Sequence, residues 1–241
     1  MLMVRTKAVV LRTVKYGEGS LVVDMLTEAL GRVPFLVKVT QSSKGKMRRQ
    51  FFMPLTLVEV DFDYRQRASL QRIRDIRISH PLPSLGMDPF KLSIAMFVAE
   101  FLCHATRDEH LNEPLFQFVS FSLQWLDGVE RGFANFHLVF MMRLSRFVGF
   151  FPNTDEREGR YFDLLNGCFT SSVPLHGHFL APAEASKIGL LMRLNYKTMH
   201  LCAMSREERN RCTEVIVEYY RLHVPGFPPL RSLEVLRQLF D

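Results

Sequence analysis

Through the first third of the chain, apolar residues fall on every second position in short runs. "VPFLVKV" puts Val33, Phe35, Val37 and Val39 on one face, and "LVEVDFD" turns Val58, Val60 and Phe62 away from Glu59, Asp61 and Asp63. "AVVLRTV" and "LVVDML" are rich in β-branched residues and are separated by Gly17 and Gly19, while "LTEALGRV" reads as a strand end, a turn at Gly31 and a new strand. In "LQRIRDIRI" the alternation loses phase between Ile73 and Ile76, which predicts a bulge or bend. Residues 1–80 therefore predict five short strands, the number in an oligonucleotide/oligosaccharide-binding (OB) barrel. An SH3-like barrel is the alternative that strand count alone does not separate.

From residue 81 the period changes. "HPLPSLGMDPF" is punctuated by proline and glycine and reads as a linker. Asp88 followed by Pro89 is a helix start, and "KLSIAMFVAEFLCHA" is apolar nearly all round, as a buried helix would be. Further helices are predicted over 113–125 and 135–148. Another runs from the Ser205/Glu208 capping box through Tyr220, and a last one covers 230–240. Seventeen of the 21 phenylalanines lie after residue 80, where helical spacing assigns them to a core. The pattern divides the chain into a barrel domain, 1–80, and a helical domain, 81–241, with an irregular or hairpin insertion over about 150–182.

Charge sharpens that division. The net charge is +6, but residues 1–80 hold 15 Lys and Arg against 7 Asp and Glu, and the remainder is slightly acidic. A basic excess confined to one domain points to an anionic partner of that domain. "KGKMRRQFF" concentrates Lys44, Lys46, Arg48 and Arg49 between the third and fourth strands with no acid nearby. Arg5, Lys7, Arg12, Lys15, Arg32 and Lys38 extend the patch along the strands. Such a surface suits a polynucleotide backbone, because Lys and Arg displace the counterions condensed on phosphates. Phe51 and Phe52 either offer a stacking surface to unpaired bases or anchor the loop to the barrel.

Several chemistries lack their motifs. The chain contains no GxxxxGK[ST] loop, GxSxG elbow or HExxH helix, and "YGEGSL" reads as a hairpin turn. Cys103, Cys168, Cys202 and Cys212 stand singly, which fits a reducing cytoplasm better than a disulfide framework. Cys168, His176 and His178 are ligand types for zinc, but a fourth ligand is missing and exposed histidines on a hairpin are expected instead. No run of 18 apolar residues predicts a membrane span.

The order "TKAVVLRTVKYGEGSLVVDMLTEALGRV", a basic stretch and then "PLTLVEVDF" resembles the bacterial RecO family of recombination mediators. "MMRLSRFVGFFPN" and the ending "YYRLHVPGFPPLRSLEVLRQLF" resemble the middle and end of that family, so the likeness spans the chain. It implies an α+β protein, an N-terminal five-stranded OB barrel followed by an all-α domain with a small hairpin insertion. It also implies a DNA-repair protein, cytoplasmic and nucleoid-associated, that binds single- and double-stranded DNA and anneals complementary strands. With RecR, such a protein helps to place RecA on DNA coated by single-strand binding protein (SSB). The family's helical domain receives the acidic C-terminal tail of SSB, and Arg143 and Arg146, three apart beside Val139, Met142 and Phe147, are the candidates for that contact. No bond is made or broken in this work, so no enzyme and no catalytic residue is expected. Many members bind zinc through two cysteine pairs near the hairpin; only Cys168 remains here, so the site is expected to be absent and no cofactor is expected. The basic loop is also more compact than the family's longer version. An OB-fold RNA-binding or translation-associated factor is the alternative reading of the basic half, and a protein-binding scaffold is that of the helical half.

Overall fold

A computed structural model describes residues 2–39, 47–107, 109–153 and 160–238. Lys44 and Lys46 lie outside these residues. The chain forms two compact units, Met1–Gly128 and Val129–Asp241.

The first unit opens with β1 (Leu2–Lys15), β2 (Ser20–Thr27), β3 (Gly31–Lys38), β4 (Leu57–Tyr64) and β5 (Ile73–His80). All neighbours are antiparallel and the order is β3-β2-β1-β4-β5. The two ends of the sheet meet at a short parallel bridge, where the Gln71 N–H donates to the Pro34 carbonyl at 2.9 Å and the Leu36 N–H to the Gln71 carbonyl at 2.8 Å. This is the plan of a partly open OB barrel. The predicted phase change is present: pairing between β4 and β5 slips between Asp61 and Phe62, which face Asp75 and Ile73 and leave Arg74 extra.

The alternating residues fill the barrel. Val33, Phe35, Val37, Val58, Val60 and Phe62 join Val10, Val23 and Met25 in one buried cluster, and the Phe35 and Phe62 rings meet edge to face at 5.0 Å. Phe51 and Phe52, in a single 3₁₀ turn (Arg49–Phe52), belong to the same cluster at 8% and 1% exposure. They plug the barrel's mouth, where the Thr13 hydroxyl donates to the Phe52 carbonyl at 2.6 Å. Anchoring, not base stacking, is their role. At the β2–β3 turn, Gly31 has φ +68°, and a Cβ there would stand 2.2 Å from the His110 carbonyl oxygen. Only glycine satisfies both constraints.

The other face of β1, with Val9 and Leu11 buried, is covered by α2 (Pro89–Ala105) and α3 (Glu113–Gly128). The linker holds a short helix, α1 (Pro83–Met87). Asp88 caps α2 as expected, its carboxylate accepting from the N–H groups of Phe90 and Lys91.

The second unit contains α4 (Phe136–Leu144), a three-stranded sheet of β6 (Tyr161–Asp163), β7 (Cys168–Thr170) and β8 (Phe179–Leu180), then α5 (Pro182–Leu191), α6 (Arg206–His223) and α7 (Leu233–Arg237). Helix α4 is shorter than expected, continuing as turns through Gly149, and α5 carries no strong amphipathic signal in the sequence. The Ser205 capping box is formed, with Ser205 Oγ accepting from the Glu208 N–H and Glu208 Oε2 accepting from the Ser205 N–H.

Candidate nucleic-acid interface

Of the ten cations singled out on the barrel, the eight among the described residues fall into separate environments. Arg5 stands opposite Asp61 and Lys7 opposite Glu59 across the β1–β4 pair. Arg5 forks onto Asp61 with bonds of 2.7 and 2.6 Å and reaches Glu59 at 3.6 Å. Arg74 pairs with Asp63 at 2.6 Å and Arg77 with Glu59 at 2.5 Å. The hydrogen bond from Arg5 holds the Asp61 carboxyl below its ordinary range. This face is a neutralised lattice of alternating charge, with Lys7 above it.

Arg32 is also committed. It donates to Asp24 at 2.6 Å and to the Cys103 carbonyl at 2.7 Å, tying β3 to the end of α2. By contrast, Arg12, Lys15, Lys38, Arg48 and Arg49 are exposed and make no ion pair among the described residues.

Local backbone geometry creates that difference. The β1–β2 register skips between Val10 and Arg12, so Leu11 is an inserted residue. Without it, the inward phase of Ala8 and Val10 would carry Arg12 into the barrel. The bulge turns Arg12 and Val14 outward instead. Arg12 then lies opposite Asp24, which lies opposite Pro34; Val14 lies opposite Val22, which lies opposite Leu36; and Ser20 lies opposite Lys38. Lys15 falls in the inward phase opposite Leu21, two residues past Thr13, which bonds the Phe52 carbonyl of the turn that carries Arg49. Arg48 rests on the Phe51 ring at 5.2 Å. The positive field near Arg12 registers on His104: burial lowers its pKa most, Glu100 opposes, and Arg12, Arg107 and Arg32 lower it further.

Three arginines that periodicity and charge runs did not assign to the site, Arg65, Arg67 and Arg72, flank the bridge that joins the β4–β5 loop to β3. They lie in the β4–β5 loop, exposed and without an ion pair among the described residues. Gln71, 5% exposed, fixes that loop against β3: its side-chain amide donates to the Arg65 and Ala68 carbonyls and accepts from the Arg65 N–H, each at 3.0 Å. The run "YRQRASLQRIR" carries the charge signal, but only the closing bridge to Pro34 and Leu36 shows where it lies.

In the second unit, Arg143 and Arg146 line one groove of about 630 Å³ with Arg160, Arg193, Phe151, Phe169 and Met192. Arg143 donates twice to the Leu194 carbonyl, at 3.1 and 3.0 Å, and burial followed by the charge of Arg146 pushes its pKa down. The Arg146 guanidinium stacks 4.0 Å above the Phe151 ring. No acidic side chain lines this groove among the described residues. Arg160 and Arg193 were not legible as members because α5 and the turn after it bring Arg193 to the site.

On the small sheet, His176 bonds Asp163 at 3.2 Å and His178 approaches Glu218 at 3.4 Å, the two imidazoles being 6.4 Å apart. Asp163 also accepts from Leu165 and Asn166; these hydrogen bonds outweigh burial and lower its pKa. Among the described residues no group of three or more His, Cys, Asp or Glu is placed to hold a metal ion, and no helix is long and apolar enough to cross a membrane.

Residues 1–82 match the family description "Recombination protein O N terminal", and residues 87–234 match "Recombination protein O C terminal". The chain is 52% identical over 238 residues to the DNA repair protein RecO of Phocaeicola vulgatus, covering 98% of this chain and 99% of that one. It is 50% identical over 239 residues to the DNA repair protein RecO of Bacteroides fragilis, covering 98% and 99%. With the protein of that name from Porphyromonas gingivalis it shares 31% over 242 residues, covering 98% of each.

Proposed function

The chain belongs to the RecO family, and from that premise we propose that it is a DNA-repair protein acting as a recombination mediator on DNA in the cytoplasm. Its barrel holds single- and double-stranded DNA through phosphate contacts from Arg12, Lys15, Lys38, Arg48 and Arg49, continued by Lys44 and Lys46. The observation that carries this reading is that Arg12, Lys15, Lys38, Arg48 and Arg49 make no ion pair among the described residues, while Arg5, Arg74 and Arg77 on the opposite strands are matched by acids and leave only Lys7 there. The arginine groove of the second unit takes the acidic C-terminal tail of SSB, with guanidinium groups forking the terminal carboxylate and Phe151, Phe169 and Met192 receiving an apolar side chain. Gripping DNA and the SSB tail together raises the local concentration of complementary strands, and phosphate neutralisation lowers their repulsion. Annealing follows, and with RecR the same grip opens SSB-coated DNA to RecA. These steps change contacts, not covalent bonds, so no residue is given a catalytic role.

Aromatic packing supports the reading that the small sheet needs no metal clip: Phe162 meets Phe169 at 5.0 Å and Tyr219 at 6.0 Å, and Tyr161 meets Phe179 at 6.0 Å. A strong chelator should leave Tm unchanged; a clear drop would restore a metal to the account.

Annealing of complementary oligonucleotides, bare and SSB-coated, tests the mediator reading. Arg143→Glu with Arg146→Glu should abolish annealing of coated strands and binding of a tail peptide while sparing bare strands. Equal activity on coated strands would remove the groove from the mechanism. Tighter binding of structured RNA than of single-stranded DNA in direct competition would favour an RNA-binding factor.

A further inference from the structure

Beyond phosphate contacts, we infer that Tyr16 is a stacking platform for one unpaired nucleobase on the outward face of β1–β2–β3; this rests on the DNA-binding reading above. The bulge at Leu11 sets the phase in which Arg12, Val14 and then Tyr16 take the outward side. Tyr16 stands just past the end of β1, and its N–H donates to the Ser20 carbonyl at 2.9 Å, holding it beside the Ser20–Lys38 pair. Tyr16 is 60% exposed, and Val14, two residues before it, is 43% exposed.

Two features make a nucleic-acid strand the occupant that fits. The first is the arrangement of apolar and cationic groups. Val14, Val22 and Leu36 form a row across three strands, with Lys38 on the Tyr16 side of that row and Arg12 on the other. Arg65, Arg67 and Arg72 are carried by the loop that Gln71 pins to Pro34 and Leu36, the latter a member of that row. A flat apolar centre between separate cations matches a chain of bases strung on phosphates. The second is charge balance. Of the acids near this face, Asp24 is matched by Arg32, Glu18 lies in the β1–β2 turn and Glu100 lies on α2, where His104 feels it together with Arg12 and Arg32; Arg12, Lys38, Arg65, Arg67 and Arg72 outnumber the latter two. A tyrosine ring suits any base, because every base has a π face, so the contact favours single strands over duplex without reading sequence. Phe51 and Phe52, the aromatic residues closest to the basic run, are inside the barrel and leave this role vacant.

The test is titration of fluorescent single-stranded and duplex DNA across a salt series, with wild type, Tyr16→Ala and Tyr16→Phe. Tyr16→Ala should weaken single-strand binding by roughly 5- to 100-fold and leave the log–log salt slope unchanged, since every phosphate keeps its cation. Duplex binding should stay within about twofold, and Tyr16→Phe should behave as wild type. A 2-aminopurine base within the strand should be quenched by wild type and Tyr16→Phe but not by Tyr16→Ala. Unchanged single-strand affinity in Tyr16→Ala, or an equal loss on duplex, would overturn the stacking role while leaving the phosphate reading in place. A wild-type chain without DNA affinity at low salt would overturn that underlying reading, and stacking with it.

Discussion

The two outward faces of the barrel carry cations in similar numbers and use them in opposite ways. On β1–β4–β5, Arg5, Arg74 and Arg77 sit over Asp61, Asp63 and Glu59, and each positive charge has an anion within hydrogen-bonding distance. On β1–β2–β3, Arg12 and Lys38 are exposed on the outward side, and Arg65, Arg67 and Arg72 lie in the loop tied to β3 through Gln71. The first face gains little from its pairs, since exposed ion pairs are weak, but among the described residues it leaves a polyanion only Lys7, opposite Glu59, as a cation without an ion pair. The second retains its charge for a ligand. Cation count therefore does not locate a phosphate-binding surface; the register of neighbouring acids does. A single inserted residue, Leu11, decides which face the second half of β1 serves.

The largest effect expected lies beneath both faces. Phe52→Ala should destabilise the barrel unit by about 3–5 kcal/mol, as truncation of a buried aromatic does. The loss is read from urea unfolding followed by a probe in that unit. A variant of full stability with reduced DNA affinity would mean instead that Phe52 faces the ligand.

Acid should separate the surface pairs from the interior. His137, fully buried against Thr213, has its pKa pushed down to about 3, by burial first and by Arg209 second. The unfolded chain takes up that proton near pH 6.5 and the folded chain does not. Stability is therefore intact above about 6.5, falls as pH drops below it, and stops falling once the folded group also titrates. The expected loss between pH 7.5 and 5 is about 2 kcal/mol, with His104 acting in the same direction. Asp61, held ionised by Arg5, stays charged throughout that window. Unfolding midpoints of wild type and His137→Gln from pH 7.5 to 5 check this. The variant should lose most of the slope, and an identical slope would place the acid sensitivity elsewhere.

Much of this architecture was legible from the sequence. Period-two alternation identified the inner faces of β3 and β4, and the Asp88 and Ser205 caps marked helix starts, because these are local signals that tertiary packing left intact. The family was legible from the order of its segments. What was hidden depended on pairing between distant segments. Arg5 reads as an available cation until β4 brings Asp61 beside it. Arg32 does so until Asp24 and the end of α2 close on it. Tyr16 reads as part of a turn until the bulge fixes its side of the sheet. Arg193 joined Arg143 only through α5, whose weak periodicity concealed the helix, and Arg160 lies at the start of the small sheet, next to β6.

The central claim is that the β1–β2–β3 side and the neighbouring turn of Arg48 and Arg49 engage phosphates and the β1–β4–β5 side does not, and two variants that each remove three positive charges test it most directly. In one, Arg12, Lys38 and Arg49 become alanine; in the other, Arg5, Arg74 and Arg77 do. Single-stranded DNA affinity is then measured against salt. The first should lower the steepness of the log–log plot by up to about 2 units, near 0.7 for each phosphate no longer neutralised, and the second should keep the wild-type slope. Equal reductions in both, or a larger one in the second, would contradict the account.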